Sequence, residues 1–412
     1  MLATVAFLSL FSAEIAQPTP TPPTFSTPYD AQYRQCVQGA AMTAIAQGAP
    51  RDAALVAIAN INLPNQEIIT LSRAQPESSM ELWDYLAMMV DDERVADGQA
   101  AFLSQREFLY DLGIRTGVDP ATIVAFWGIE TNYGRILGRR NVIDALATLG
   151  CTNRPRAQFF KTELVAAIKI QAQGHVDANN FIGSWAGAFG HTQFMPTTFQ
   201  RLAVDANSDG RKNLIGDVQD ALASTANYMV RSGWVRGEKW GYEVRVPAGY
   251  RGAIGRGNTR TLTTWRALGV KQANGADIPQ SGASYGLIRP AGNRGPAYLV
   301  GRNYSAVYAY NPAQAYALAV NLLADRIKGG AGIVTPWPTD DPPISRAQRR
   351  EIQTILQNMG YDVGAIDGIL GEKTRTALNG FYRSNGLVFD GRVASRCLAT
   401  MRQFRPNGQN KN

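Results

Sequence analysis

Cysteine and histidine are scarce in this chain of 412 residues. It has three cysteines and two histidines, and the cysteines are isolated from one another. Zinc sites need clustered ligands, so cysteines this isolated, with only His175 and His191 besides, argue against a zinc enzyme. Cys36 and Cys151 leave two interpretations open, a disulfide in an exported protein or unpaired core residues. Cys397 is interpreted as a small buried residue.

Long apolar runs are also scarce. The stretch from Leu2 to Phe11 is too short to span a bilayer and has the size of a signal-peptide core. It lacks a preceding basic residue, and Glu14 makes the step from Ala16 to Gln17 a poor cleavage site. We expect residues 1–28 to be a signal-like segment with a proline-rich lead-in. No other segment is long and apolar enough to cross a membrane.

Runs of lysine and arginine are absent, although the formal net charge is +8. A basic surface indicates an anionic partner, which can be nucleic acid, a membrane or an acidic polymer. No helical segment carries a basic stripe, so we do not expect a nucleic-acid partner.

One carboxylate stands out in the segment 119–134. Asp119 can cap a helix there, and Pro120 suits its first position. Apolar side chains then cover most of the circumference, which predicts a buried helix with Glu130 near its end. Burial disfavours the charged form of a carboxyl group and raises its pKa, as a general acid requires. The alternative interpretation is an ion pair between Glu130 and Arg135.

A second motif, between Gly183 and Pro196, alternates small residues with aromatic ones. Glycines let the backbone approach a ligand closely, and Gln193 supplies both a donor and an acceptor. Flat apolar faces combined with fixed hydrogen-bonding groups are typical of sugar-binding sites.

Five segments form an ordered set along the chain. They read Trp127-Gly-Ile-Glu-Thr-Asn-Tyr-Gly134, Asp144-Ala-Leu-Ala-Thr-Leu149, Gly183-Ser-Trp-Ala-Gly-Ala188, Gln193-Phe-Met-Pro196 and Asp220-Ala-Leu-Ala-Ser-Thr-Ala-Asn-Tyr228. In order and approximate spacing they resemble the lytic murein transglycosylase B family, enzymes that cut peptidoglycan. The resemblance covers roughly residues 30 to 330. It implies a mainly α (α+β), lysozyme-like transglycosylase core with a strand-containing insert.

The resemblance also implies chemistry with one carboxylate and no required cofactor. Glu130 would protonate the oxygen between N-acetylmuramic acid and N-acetylglucosamine. It would then take the proton of the muramoyl C6 hydroxyl, which closes on C1 as a 1,6-anhydro end. Ordinary glycosidases need two carboxylates, and Asp144, the other acid in these motifs, is interpreted as structural. A hydrolytic muramidase and a catalytically silent wall-binding protein are the alternatives.

Three substrate contacts follow from the matching motifs. The resemblance implies that Ser184 and Gln193 line the saccharide groove. It implies that Tyr228 is a cleft tyrosine able to hydrogen-bond near the acid. The alternatives are a core amide for Gln193 and ordinary helix packing for Tyr228.

Further substrate contacts are implied at two other places. Arg156, and less closely Arg154, match arginines that bind stem-peptide or lactyl carboxylates, although Pro155 separates them here. The alternative is that both are solvated surface residues. Asn303, Tyr304 and Tyr310 fall in a segment that resembles the far wall of the cleft.

The segment 205–210 fits the first half of a calcium loop, with oxygen ligands at alternate positions and a glycine for the turn. Gly216 stands where such a loop has its bidentate acid. The resemblance implies a longer loop and a structural Ca²⁺. The implied ligands are Asp205, Asn207, Asp209, Arg211 through its carbonyl, and Asp220. A metal-free turn is the alternative, since Arg211 and Lys212 oppose a cation.

Composition divides the chain into units. We expect a catalytic domain at 29–334 with a strand-rich insert at 235–300, a proline-rich linker at 335–344, and a three-helix domain at 345–405. The prolines of the linker predict a stiff spacer between the two domains. The turn between Asp367 and Thr374 resembles the D-G-x-x-G-x-x-T turn of peptidoglycan-binding domains, and Ser345 with Gln348 predicts a capping box.

The partners and the location follow from the same resemblance. We expect peptidoglycan as substrate, because its stem peptides carry free carboxylates that match the basic surface. We also expect a periplasmic monomer, with cell-wall synthesis or secretion-complex proteins as further partners.

Overall fold

The computed structural model describes residues 28–73 and 80–404. The signal-like segment and nearly all of the proline-rich lead-in lie outside these residues, so they stay predictions. Helices predominate and the strands are short, which confirms the expected fold class. None of the helices in the described ranges has the length and apolar character that a membrane span requires.

The described chain contains seventeen helices. They are α1 Pro28–Ala46, α2 Arg51–Ile58, α3 Gln66–Leu71, α4 Leu82–Met89, α5 Asp92–Ser104, α6 Arg106–Thr116, α7 Pro120–Thr131, α8 Val142–Gly150, α9 Ala157–Ala172, α10 Pro196–Leu202, α11 Val218–Arg231, α12 Leu262–Ala267, α13 Arg302–Tyr310, α14 Gln314–Ile327, α15 Arg346–Asn358, α16 Glu372–Ser384 and α17 Ser395–Gln403. Short 3₁₀ turns lie at Ala178–Asn180 and Gly292–Arg294.

Seven short strands form two antiparallel sheets in the same described part. They are β1 Arg140–Asn141, β2 Ile182–Gly183, β3 Gly241–Arg245, β4 Thr259–Thr261, β5 Lys271–Gln272, β6 Ser284–Ile288 and β7 Ala297–Val300. β1 pairs with β2, and the other five form one sheet in the order β4-β6-β7-β3-β5. The larger sheet lies within the segment predicted to carry strands, and its own apolar cluster surrounds the fully buried Trp265.

Two apolar cores build the helical region. One joins α4 to α7 with α11, α13 and α14, and the other joins α1 to α3 with α8, α9 and α10. Tyr228 and Tyr310 pack against both cores. They therefore mark the seam along which the two halves of the helical region meet.

Helix α7 is the central element of the first core. Asp119 accepts a hydrogen bond from the N–H of Ala121 at 3.0 Å, and Pro120 opens the helix, as the sequence predicts. Every residue from Ala121 to Thr131 is buried. The helix ends at Asn132, whose left-handed backbone turns the chain away. The amphipathic pattern is absent because apolar neighbours surround this helix on all sides.

A disulfide joins Cys36 in α1 to Cys151 at the end of α8. Of the two interpretations left open by the sequence, the structure has the bonded one. Cys397 is free and buried in α17, where it belongs to the core of the C-terminal helices.

The C-terminal helices α15, α16 and α17 pack around a small core of their own. Ser345 and Gln348 form the predicted capping box at the start of α15. The segment 335–344 is not a solvated spacer. Trp337 packs on Trp83 with ring centroids 6.1 Å apart, and Asp341 is buried. Trp337 therefore attaches the linker to the catalytic region, whereas Asp341 binds Arg392 and accepts the N–H of Arg396 in the C-terminal domain.

Candidate active site

Glu130 lies near the end of α7 and is 1% exposed. Its Oε1 accepts a hydrogen bond of 2.5 Å from the hydroxyl of Tyr316 in α14. Its Oε2 is buried and has no hydrogen-bond partner in the described chain. Burial raises the pKa of Glu130 well above its ordinary value, and the hydrogen bond from Tyr316 opposes part of that rise. This carboxyl group therefore favours the protonated form that a general acid needs.

Arg135 does not pair with Glu130. Its guanidinium forms a two-pronged ion pair with Asp97 of α5. The alternative interpretation, a structural ion pair at the end of the helix, is therefore wrong for Glu130. Arg135 therefore does not act as a nearby cation that would favour the charged form of Glu130.

Aromatic rings form a wall beside Glu130. Tyr310 stacks on Tyr316 with centroids 6.4 Å apart and contacts Tyr228 and Phe126 at 4.7 Å each. The hydroxyl of Tyr310 donates to the carbonyl of Thr192, and that of Tyr228 donates to Ala309 at 2.8 Å. Tyr228 is thus in contact with Tyr310, which stacks on the tyrosine that binds Glu130. The contact of Tyr228 and Tyr310 with substrate stays a prediction.

A side chain of α5 holds the C-terminal end of α7 in place. The buried guanidinium of Arg94 donates to the carbonyl of Gly128 at 2.6 Å. Tyr133, three residues after Glu130, donates a hydrogen bond of 2.7 Å from its hydroxyl to the carbonyl of Arg94. A Cβ at Gly128 would come within 2.5 Å of the Tyr133 ring, so only glycine allows this approach. Arg94 and Tyr133 therefore hold the turn on which Glu130 is presented.

A second support comes from His191. Its Nδ1 accepts a hydrogen bond of 3.0 Å from the indole N–H of Trp127, and its carbonyl accepts one of 2.7 Å from the hydroxyl of Thr131. Burial lowers the pKa of His191 to about 4. The neutral ring therefore packs on α7 and supports its end.

The second motif sits against the turn after α7. The amide N–H₂ of Gln193 donates to the carbonyls of Leu137 and Gly190 at 3.2 and 3.0 Å. The Oε1 of the same amide accepts no hydrogen bond from the residues that the structure describes. The hydroxyl of Ser184 accepts the N–H of Ala188 at 3.1 Å. Both side chains are thus oriented by the protein itself.

Two other predicted contacts have different surroundings. The side-chain amide of Asn303 accepts the N–H of Val235 at 2.7 Å and donates to the carbonyl of Glu238 at 2.7 Å. It therefore holds the segment that precedes strand β3 against helix α13. Tyr304 is buried against Trp240. Their contact with substrate stays a prediction.

The predicted arginine pair lies at the start of α9. The guanidinium of Arg156 stacks over Phe159 at 4.5 Å. Arg154 reaches the carbonyl of Ile69 at 3.4 Å, which is at the long limit of a hydrogen bond. Neither has a carboxylate partner among the described residues, so both charges are available to an anion.

Two other carboxylates, the half-buried Asp144 and the buried Glu163, have structural partners. Asp144 accepts a hydrogen bond of 2.8 Å from the amide of Asn65, in agreement with its structural interpretation. Glu163 accepts both the N–H and the hydroxyl of Thr197, at 2.8 and 2.7 Å, at the start of α10. Burial raises the pKa of both acids. They differ from Glu130 because both oxygens of Glu163 are hydrogen-bonded and Asp144 is only half-buried.

The predicted calcium loop is organised by its own hydrogen bonds. Asp205 accepts the N–H of Gly210 at 2.9 Å, and the side-chain oxygen of Asn207 accepts that of Asp209 at 2.9 Å. Asp220 is buried and accepts two further backbone N–H groups of the loop, each at 2.7 Å. In the part of the chain that is described, no three acidic, histidine or cysteine side chains are grouped to hold a metal.

The sequence reasoning missed Tyr316, Arg94 and Tyr133. The helical pattern that contains Tyr316 is visible in the sequence, and a tyrosine on its apolar face signals a hydroxyl in need of a buried partner. For Arg94 no local signal exists, because its acceptor is a backbone carbonyl of a distant helix.

Comparison with known proteins gives a family match for each part of the chain. The model of the Transglycosylase SLT domain matches residues 32–325, and that of the Putative peptidoglycan binding domain matches residues 345–401. Membrane-bound lytic murein transglycosylase B of Escherichia coli (strain K12) is 30% identical over 269 residues, which cover 63% of this chain and 71% of the relative.

Solved structures extend the similarity to the fold. SltB3 from Pseudomonas aeruginosa, in complex with NAG-NAM-pentapeptide, is 42% identical with a TM-score of 0.71 and covers 90% of this chain and 99% of its own. The Escherichia coli lytic transglycosylase Slt35, in complex with calcium, is 26% identical with a TM-score of 0.60 and covers 72% and 92%.

The mainly helical fold, shared with solved lytic transglycosylases, defines a lysozyme-like glycan-cleaving enzyme. The chain belongs to the transglycosylase SLT domain family. It is a peptidoglycan lytic transglycosylase with a C-terminal peptidoglycan-binding domain, as the sequence predicts.

Proposed function

We propose that Glu130 alone carries the proton transfers of a lytic transglycosylase that leaves 1,6-anhydro-N-acetylmuramic acid ends. The protonated acid donates to the glycosidic oxygen, and the leaving sugar departs from C1 of the muramoyl residue. The resulting carboxylate then removes the proton of the C6 hydroxyl, whose oxygen bonds to C1. The proton balance closes on one residue, and no water is consumed.

The observation that carries this proposal is the asymmetry of the Glu130 carboxyl group. Tyr316 holds Oε1, while Oε2 has no partner in the described chain. A group that donates and then accepts a proton needs one oxygen free for the substrate and a pKa near the working pH. The burial of Glu130 supports the second requirement.

We also propose which residues form the saccharide groove around Glu130. Ser184, Gln193, Tyr228 and Tyr310 contact the saccharide rings through hydrogen bonds and aromatic faces. Arg154 and Arg156 bind carboxylates of the stem peptide or the lactyl group, and Asn303 and Tyr304 remain candidates for the far wall. The proposed domains are 29–334 for catalysis, 335–344 for the linker and 345–405 for wall binding.

Mass spectrometry of the soluble products from purified sacculi tests the reaction. We expect muropeptides with 1,6-anhydro ends from the native enzyme. Glu130→Gln should release none while still pelleting with the wall, and Asp144→Asn should remain active. Reducing, hydrated ends would identify a muramidase instead. No release by the native enzyme would favour the silent binding protein.

We propose that the loop at 205–220 binds a structural calcium ion through Asp205, Asn207, Asp209, the Arg211 carbonyl and Asp220. The proposal is supported by the oxygen-rich loop and by calcium in the Slt35 structure. A bound ion would stiffen the loop before α11 and take no part in the reaction. Thermal melting with calcium and with a chelator tests it. Equal melting temperatures would contradict the proposal.

The location and partners rest on the same reasoning. We propose that the enzyme acts in the periplasm as a monomer, where its substrate lies. Cell-wall synthesis or secretion-complex proteins are the further partners that we expect. Fractionation of cells and pull-down from envelope extracts test these two statements.

A further inference from the structure

The net positive charge of the chain is concentrated in the strand-rich insert at 235–300. The insert has ten basic residues and three acidic ones, so it carries seven of the eight net charges of the chain. All of the basic residues except Arg289 are exposed. The rest of the chain, with the proposed saccharide groove and the wall-binding domain, is close to neutral. The anionic partner that a basic chain indicates is therefore expected at the insert.

The three acids of the insert do not neutralise this charge. Glu243 is occupied by two backbone N–H groups at 334–335, which it accepts at 2.8 and 2.7 Å. Glu238 is half-buried. Asp277 binds Arg266 at 2.8 Å. Among the residues that the structure describes, this is the only ion pair that a basic residue of the insert forms.

Two basic side chains of the insert repel one another. Arg245 of β3 and Lys271 of β5 are exposed and lie directly opposite each other in the sheet. Opposite residues of antiparallel strands share a face, where two like charges are unfavourable. Neither side chain has a hydrogen bond or an ion pair within the described ranges. An anion outside the protein would relieve this repulsion.

Apolar side chains are exposed among the basic ones. Ile254 is 48% exposed and stands between Arg251 and Arg256 in the sequence, and Leu268 is 41% exposed and follows Arg266 by two residues. A partner that supplies charge alone gives these two side chains no contact. A partner with an apolar layer beneath an anionic surface would cover both kinds of side chain.

Helix α12 brings these residues to one side of the insert. The ring of its Trp265 contacts the ring of Tyr250 at 5.7 Å, and the guanidinium of Arg260 lies 5.9 Å from the same tryptophan. The hydroxyl of Tyr250 donates to the carbonyl that directly precedes Ile254, and Leu268 directly follows α12. The α12 face, as we call this surface, consists of Arg251, Ile254, Arg260, Arg266 and Leu268.

We propose that the α12 face binds the surface of a membrane that contains anionic phospholipids. The arginines pair with lipid phosphates, and Ile254 and Leu268 enter the headgroup region. The exposed apolar side chains favour a membrane over a soluble or wall-bound polyanion, which would satisfy only the charges. The face contains none of the residues proposed for the saccharide groove. One enzyme could therefore bind a membrane surface and the wall through different parts of the chain.

Cosedimentation of the full chain with lipid vesicles tests the proposal. Vesicles of phosphatidylglycerol and phosphatidylethanolamine should bind the protein, vesicles of phosphatidylcholine alone should not, and added salt should weaken the binding. The double variant Arg251→Ala with Arg260→Ala should bind the anionic vesicles about 30-fold more weakly. Ile254→Ser with Leu268→Ser should also weaken vesicle binding. It should bind inorganic polyphosphate, a polyanion without an apolar layer, like the native protein.

Matched control variants are available in the helical region. Arg51→Ala with Arg106→Ala removes two exposed arginines, and Val56→Ser with Leu103→Ser removes two exposed apolar side chains. Both controls should bind anionic vesicles like the native protein. Absence of vesicle binding by the native protein, or equal losses in the controls, would overturn the proposal. Unchanged vesicle binding by the arginine variant, with loss of its binding to purified sacculi, would assign the charge to the wall instead and overturn it as well.

Discussion

The hydroxyl of Tyr316 donates a hydrogen bond of 2.5 Å to Glu130, across 186 residues of sequence. This bond stabilises the carboxylate form, whereas burial stabilises the protonated form. The first proton transfer needs the acid and the second needs its conjugate base. The balance between these two influences therefore determines the pH range in which one residue can perform both.

Removing that hydroxyl should move the pH profile. In Tyr316→Phe the pKa of Glu130 rises further, because the donor that favours the carboxylate is gone. The alkaline limb of kcat/KM should shift to higher pH, and activity at neutral pH should fall about tenfold, the equivalent of one hydrogen bond to a charged group. The control is Tyr250→Phe, which removes a hydroxyl that donates to the carbonyl of Ala253 at 3.3 Å. An alkaline limb that stays in place would contradict the role assigned to Tyr316.

His191 should make the fold sensitive to acid. The unfolded chain protonates this side chain near pH 6.5, and the folded chain only near pH 4. The free energy of unfolding should therefore fall as the pH drops through this window, by about 3 kcal/mol in total. His191→Gln keeps an acceptor for Trp127 but does not titrate. The difference between the native and variant stabilities, measured by urea unfolding at several pH values, should shrink towards pH 4. Parallel curves would refute the prediction.

The disulfide should stabilise the catalytic region. Cys36 and Cys151 are 115 residues apart, and closing a loop of this size stabilises a fold by about 5 kcal/mol in the chain-entropy model. Replacing both with serine should lower the free energy of unfolding by about that amount. All seven tryptophans lie between residues 83 and 337, so their fluorescence reports on this region. Cys397→Ala, in the C-terminal helices, should leave the same transition unchanged.

Loosening the C-terminal domain should separate wall digestion from catalysis. Arg350 of α15 pairs with Glu93 of α5, and Arg392 pairs with Asp84 of α4, so two ion pairs join the C-terminal domain to the catalytic region. The double variant Arg350→Ala with Arg392→Ala removes both ion pairs, and about tenfold more of the population should expose the linker to protease. Short soluble glycans should be cleaved at the native rate, whereas release from sacculi should fall. Arg402→Ala, which breaks a pair with Glu351 inside the C-terminal domain, is the control. Unchanged proteolysis would show that the ion pairs do not hold the domain.

Local chemistry explains what the sequence could predict. The cap at Asp119, the proline at the next position and the apolar run after it are short-range signals, and α7 forms as they indicate. The capping box of α15 is a signal of the same kind. The sequence indicates Glu130 because the burial of this residue follows from its own helix.

Long-range pairing explains what the sequence could not predict. The partner of Glu130 lies seven helices further along the chain, and no pattern around Tyr316 specifies which acid it meets. The linker illustrates the same limit. Its prolines indicate stiffness, but only the folded chain brings Trp337 onto Trp83. Fold class follows from periodicity, whereas tertiary partners follow from packing.

The attached linker changes what the wall-binding domain can contribute. A domain on a loose tether only raises the local concentration of its enzyme near an insoluble surface. A domain that is held against the catalytic region by its linker keeps the bound wall at a fixed distance from Glu130. Binding energy gained far from the reacting bond can then be used to align a strand. In such an enzyme, wall binding positions the glycan strand for cleavage.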